Sequence, residues 1–167
     1  PERTIADRLD LLHSVLSVPQ STDSPVRLLH LSFRDFLLDT TNAEGNNFWI
    51  EEKKTHAKIA TNCLRVLQCL KKDICDVREP GTPRATISAT TVNSCLSSEV
   101  QYCCLYWITH IEKADMQISD GDDIHSFLTH GFRYWIESLS LIGRAYESLG
   151  LIRSLRSRLK VRERTYH

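Results

Sequence analysis

From Phe48 to Leu159 the apolar residues return at the spacing of an α-helix, and each run meets a cap or breaker, so this stretch is confined to a set of packed helices. Glu51 and Glu52 suit the first turn of one helix, whose apolar face is Ile59, Cys63, Val66, Leu67 and Leu70, with Lys71 and Lys72 at its C-terminal end. Pro80, Gly81 and Pro83 then force an irregular surface excursion over residues 76–85. Ser97 or Ser98 caps a second long helix through Trp107 to about Glu112. Residues 119–123 open a further helix at Ile124, Phe127 and Leu128, Gly131 divides it from the next, and Trp135, Leu139 and Ile142 carry the pattern to Gly143. A last helix runs from Arg144 along Leu151, Ile152, Leu155 and Leu159. Helices joined by such short loops pack antiparallel, and no strict repeat marks a solenoid array.

The chain before this region follows a different pattern. Leu9, Leu12 and Leu16 predict a helix over residues 5–16, the run PQSTDSP is turn chemistry, and short strands are expected at Ser17 to Val18 and Val26 to Leu29. Phe33, Phe36 and Leu37 then recur at helical spacing, opposite Arg34, Asp35 and Asp39. Helix, wing and helix together fit the C-terminal half of a winged-helix domain, whose earlier helices would lie upstream of Pro1. The expected architecture is therefore mainly α: the end of a winged helix over residues 1–41, then, after an Asn- and Gly-rich linker at 42–47, a helical domain or superhelical region over 42–167. Trp107, Trp135, Leu139 and Phe36 are expected in the core.

His30 stands where the second strand hands over to that helix. An imidazole at such a junction can point toward a neighbouring domain and donate a hydrogen bond to a phosphate. On residue chemistry alone, a half-buried, satisfied histidine is the commoner outcome.

Composition removes several function classes. Formal net charge is zero, so no global field draws the chain to nucleic acid or a membrane, and neither is expected as a partner. A local basic run near the C-terminus (Arg153, Arg156, Arg158, Lys160, Arg162, Arg164) reads as the solvated face of the last helix. The six cysteines form no CxxC pair, and no cleavable leader or transmembrane run is visible, which points to a reducing cytoplasm. Cys63, Cys69 and Cys75 recur every sixth residue, a spacing that scatters them around a helix, while Cys103 and Cys104 sit among core residues. His56, His110, His125 and His130 lack the paired spacing of a zinc site, so no metal is expected. Trp49, Trp107 and Trp135 are read as core aromatics because basic residues hardly flank them. With no G-x-x-x-x-G-K-[ST] loop, H-E-x-x-H helix or G-x-S-x-G elbow, no catalytic residue is assigned and the chain is not read as an enzyme. A cysteine hydrolase is a distant third reading, since no cysteine sits in a nucleophile context.

The stretch His30, Leu31, Ser32, Phe33, Arg34, Asp35 and Phe36 resembles a signature at the end of the winged-helix domain in NACHT-type STAND NTPases, the NLR-like signalling proteins. FWIEEKKTHAKIATNCL, LKKDICDVREPGT, VQYCCLYWITHI and YWIESLSLIGRAYESL are similar to the helical region after the NACHT domain in fungal members, including the vegetative incompatibility family. The resemblance covers nearly the whole chain. It implies that His30 contacts bound ADP and helps lock an inactive state. It also implies a regulatory module that couples nucleotide state to opening and oligomerisation in fungal non-self recognition or programmed cell death. The expected partners are an upstream NACHT domain and a C-terminal repeat domain in cis, and further copies of the protein on activation. The chain itself should hold no cofactor, while ADP and ATP, or GTP, belong to the upstream domain of a full-length parent. The alternative is a helical protein-interaction scaffold with no nucleotide role.

Overall fold

The computed structural model describes residues 9, 12–19, 26–79 and 81–159, and the chain divides into two compact units, Pro1–Glu51 and Glu52–His167. The fold is mainly α with one short hairpin.

In the first unit, strand β1 (Leu16–Ser17) pairs antiparallel with β2 (Arg27–Leu28), Leu16 opposite Leu28 and Ser17 opposite Arg27. The amide of Leu29 donates to the Val15 carbonyl at 3.0 Å and extends the ladder. Leu16 is therefore a strand residue and not the end of the expected helix, most of which lies outside the described residues, as does the turn at 20–25. Helix α1 (Leu31–Leu38) follows, and Asp39 then caps a single 3-10 turn, Thr40–Asn42, by accepting from the Thr41 amide at 2.9 Å. Residues 42–51, which sequence assigns to the helical region, fall in the first unit. Asn46 Nδ2 donates to the Phe36 carbonyl at 3.0 Å and the Ile50 amide to the Leu37 carbonyl at 2.7 Å.

None of the described residues of this unit is buried. Phe36, expected in the core, is 48 % exposed, and Leu31 and Phe48 are 72 % and 71 % exposed. Among the described residues, two-residue strands and an eight-residue helix supply too few facing surfaces to enclose an aromatic ring.

The second unit closes on itself. Helix α2 (Glu52–Leu67) lies along α4 (Ser98–Lys113), with α3 (Ala89–Cys95), α5 (Asp123–His130), α6 (Phe132–Leu141) and α7 (Ser148–Arg158) completing the unit. Trp107 and Trp135 are wholly enclosed, set edge to face with centroids 5.5 Å apart and planes at 82°. Phe127 adds a second edge contact to Trp107 at 5.3 Å. Such geometry places the positive ring edge on the negative face of its neighbour. Trp135 Nε1 donates to the Cys104 carbonyl at 2.8 Å, and Leu139, Ile108, Ile111 and Leu67 fill the surroundings.

Local chemistry sets the ends. α2 stops at Leu67, short of Lys71 and Lys72, because the next three amides bond back only three residues, to Arg65, Val66 and Leu67. Leu70 still turns inward. The excursion after it is held by Asp73, whose carboxylate accepts from the amides of Val77 and Arg78 at 2.7 and 3.0 Å. α3 was not foreseen. Its sequence, ATTVNSC, has poor intrinsic helix preference, but Ser88 caps it through the Thr91 amide at 3.0 Å and Val92 is buried. Asp122 caps α5, Gly131 separates α5 from α6, and Gly143 follows α6 at φ 78°, a backbone that suits glycine. No helix among the described residues is long and apolar enough to cross a membrane.

Candidate functional site

His30 is the N-cap of α1, with extended backbone at φ −143° and ψ 141°. Its Nδ1 accepts from the Ser32 amide at 3.1 Å and lies 2.7 Å from Ser32 Oγ. A helix start leaves amide donors without intrahelical partners, and here an imidazole takes the place of the usual Ser, Asp or Asn side chain. The cap has a chemical consequence. A neutral ring that accepts at Nδ1 carries its proton on Nε2, so the edge away from the helix is a hydrogen-bond donor.

The ring is exposed, and the first turn of α1 holds no acidic residue. A donor beside the positive pole of a helix suits an anion. Sequence could flag His30 only as a junction residue, because the capping role depends on the strand ending at Leu28 and on Ser32 falling two residues later. No second site residue accompanied His30 in the sequence reading. Among the described residues no three His, Cys, Asp or Glu side chains converge on a point that could hold a metal.

Four of the six cysteines are packing residues. Cys63, Cys75, Cys103 and Cys104 are buried and Cys69 is exposed, all as free thiols. Burial pushes Cys63 and Cys104 up to about 12 and Cys75 up to about 11, so the nucleophilic thiolate is scarce at neutral pH. That chemistry opposes a nucleophilic role for these three thiols.

One polar cluster in the helical unit is centred on a buried histidine. His110 on α4 places Nδ1 2.7 Å from Nδ1 of His56 on α2, and its Nε2 lies 2.8 Å from the Tyr102 hydroxyl. Burial first, then His56 and Lys113, hold His110 below its ordinary value. His56 and His110 are too far apart in sequence for any spacing rule to pair them. Of the basic run, Arg158 bonds Asp115 at 2.8 Å, Arg153 and Arg156 are exposed, and Lys160, Arg162 and Arg164 lie outside the described residues.

No protein-family model matches the chain, and no solved structure matches it. Among curated proteins, the chain is similar to the vegetative incompatibility protein HET-E-1 of Podospora anserina, with 30% identity over 153 residues. The match takes in 80% of this chain and 11% of the relative, so the chain spans about a tenth of that protein's length. What the chain is similar to is thus one stretch of a much longer fungal vegetative incompatibility protein.

Proposed function

We propose that this chain is a regulatory module of an NLR-like STAND signalling NTPase acting in fungal heterokaryon incompatibility. The first unit is the end of a winged-helix domain and senses nucleotide through His30. The helical unit transmits or restrains opening toward the oligomerising state. The observation that carries this reading is the His30 cap, which fixes an exposed Nε2–H donor at a helix N-terminus within the signature segment. The similarity to HET-E-1 supports the signalling class.

The exposed apolar side chains Leu31, Phe36 and Phe48 fit a unit that packs against further polypeptide, which in this reading is the NACHT side of the same protein. Energetically His30 is one contributor among several. A charge-assisted hydrogen bond to phosphate contributes on the order of 1.5–3 kcal/mol, enough to tilt a poised equilibrium and too little to hold a large interface shut. It favours the closed state only if it is lost on opening. The chain alone, with no phosphate-binding loop, binds no ATP at micromolar concentration, and calorimetry tests that directly.

The test of the switch uses the full-length parent protein. His30→Ala removes both the ring donor and the helix cap, whereas His30→Asn keeps a cap acceptor and shortens the reach toward an anion. Loss of retained ADP and spontaneous signalling in both variants assigns the effect to the ring donor. Wild-type ADP content and silence in both would reduce His30 to a structural cap. The same exposed apolar residues favour the second reading, a scaffold that docks a protein with no nucleotide involved, and unchanged ADP content with lost partner binding would select it.

A further inference from the structure

A site independent of any role for His30 lies where α2 meets α4. The His56 and His110 rings sit with centroids 5.0 Å apart, tilted by 34°, and their Nδ1 atoms are 2.7 Å from each other. At that distance one nitrogen carries a proton and the other presents a lone pair. Two neutral arrangements satisfy the cluster. In one, the Tyr102 hydroxyl donates to His110 Nε2 and His110 Nδ1–H donates to His56. In the other, His56 Nδ1–H donates to His110 and His110 Nε2–H donates to the Tyr102 oxygen. The second arrangement also tolerates one extra proton, placed on Nε2 of the less buried His56. An extra proton on each ring is different: two N–H groups then oppose each other at 2.7 Å and two positive rings meet edge to edge.

We propose that His56 and His110 form an acid-released latch, closing the start of α2 onto α4 near neutral pH and letting it go when both rings become protonated. A tetrahedral zinc with bonds of about 2.0–2.1 Å would hold its nitrogens roughly 3.3 Å apart, so the observed separation is that of a shared proton and not of a metal site.

Near the pair in sequence stand Glu52 and Lys53 on α2, Tyr102, Tyr106, Glu112 and Lys113 on α4, and Asp115 beyond α4. Asp115 already binds Lys53 at 3.2 Å and Arg158 of α7 at 2.8 Å, and Glu112 accepts from Ser154 of α7. None of the groups that move His110 is a carboxylate, and burial, His56 and Lys113 all disfavour its cation. The sign follows from linkage. With the folded value below the unfolded one, the unfolded chain takes up the proton first. The stability of the neutral pair is fully present above about pH 6.5 and is lost as pH falls through the lower folded value. His56 lies just past the boundary between the two units, so acid loosens α2 at the end that joins them in sequence.

The test is urea unfolding of the whole 167-residue chain between pH 8 and 5, comparing wild type with His110→Gln, His56→Gln and, as an exposed-histidine control, His130→Gln. Below pH 6.5 the wild-type folding constant should fall by up to about tenfold per pH unit more than that of His110→Gln, His56→Gln should fall between the two because burial alone still disfavours the His110 cation, and His130→Gln should follow wild type. Should His110→Gln fail to fold, His56→Gln carries the comparison. Hydrogen exchange, corrected for intrinsic rates, should show protection over 52–60 dropping at pH 5.5 while 103–108 on α4 stays protected. Parallel pH curves for wild type and the latch variants, or protection over 52–60 that ignores pH, would overturn the proposal.

Discussion

The two units draw on the same kinds of apolar residue and end in opposite states: Trp107 and Trp135 are sealed from solvent, whereas Leu31, Phe36 and Phe48 stand largely open to it. Hydrophobicity does not separate them. What differs is how many surfaces converge. The helical unit brings α2 and α4, each sixteen residues long, side by side and covers them with shorter helices, so that Trp107 on α4 meets Phe127 of α5 and Trp135 of α6. In the first unit the described residues form a two-stranded hairpin and a short helix, α1, and none of them is buried.

The comparison breaks first at the tryptophans. Trp135→Ala should cost about 3–5 kcal/mol by opening a cavity beside Trp107, and thermal melts would show it as the largest loss of any single substitution. A finer contrast lies within the pair. Trp135 Nε1 has the Cys104 carbonyl as acceptor, whereas Trp107 Nε1 is buried with no hydrogen-bond partner. Trp107→Phe removes an unsatisfied donor and should be milder than Trp135→Phe, which removes a satisfied one. Equal losses would mean that ring volume alone decides both sites.

Gly131 offers a smaller test of how tightly the helical unit is closed. A Cβ built there would lie 2.7 Å from Phe127 Cε2, and that ring cannot swing away because it packs edge-on against Trp107. Gly131→Ala should therefore destabilise by about 1–3 kcal/mol, the clash outweighing the entropy that alanine saves in the unfolded chain. A variant that melts like wild type would show that Phe127 has room to move.

Sequence reading succeeded where local signals and tertiary packing agree. The long helices, the Asp122 cap and the Gly131 and Gly143 breaks are periodicity and capping chemistry, both written in neighbouring residues. α3 was hidden because its Thr, Ser and Asn residues are poor helix formers and the helix is held by Ser88 and the burial of Val92. Phe36 misled for the opposite reason: its spacing is that of a core residue, but spacing gives the face of a helix and not whether anything covers that face. The candidate site was half legible. His30 could be named from its place in the run, while its Nδ1 cap, and with it the tautomer that exposes Nε2–H, needed the geometry. The His56 and His110 contact is a purely tertiary event.

The His30 cap gives the next prediction in size. In the isolated chain His30→Ala should cost about 1 kcal/mol through the lost acceptor for the Ser32 amide, and His30→Asn only a few tenths. Amide exchange in α1 is the proper readout, because the helix belongs to the unit in which no described residue is buried and should open before the helical unit melts. Equal exchange in both variants would mean that the ring does not support the helix.

A small effect in the chain as it stands is expected at Phe36, and it sharpens the comparison most. Burying a phenylalanine fully is worth roughly 1.5–3 kcal/mol, and about half of this ring remains in water, so Phe36→Ala should cost no more than about 1 kcal/mol, part of it returned by alanine's higher helix propensity. The same substitution in the longer parent protein should cost severalfold more, since the proposed packing against the upstream domain would cover the exposed half of the ring. The two measurements, by exchange in the short chain and by melting in the long one, separate a face that waits for a partner from one that simply tolerates solvent. A loss below about 1 kcal/mol in both settings would mean that the open apolar face of the first unit stays open, and would remove the main structural support for its docking on a NACHT domain.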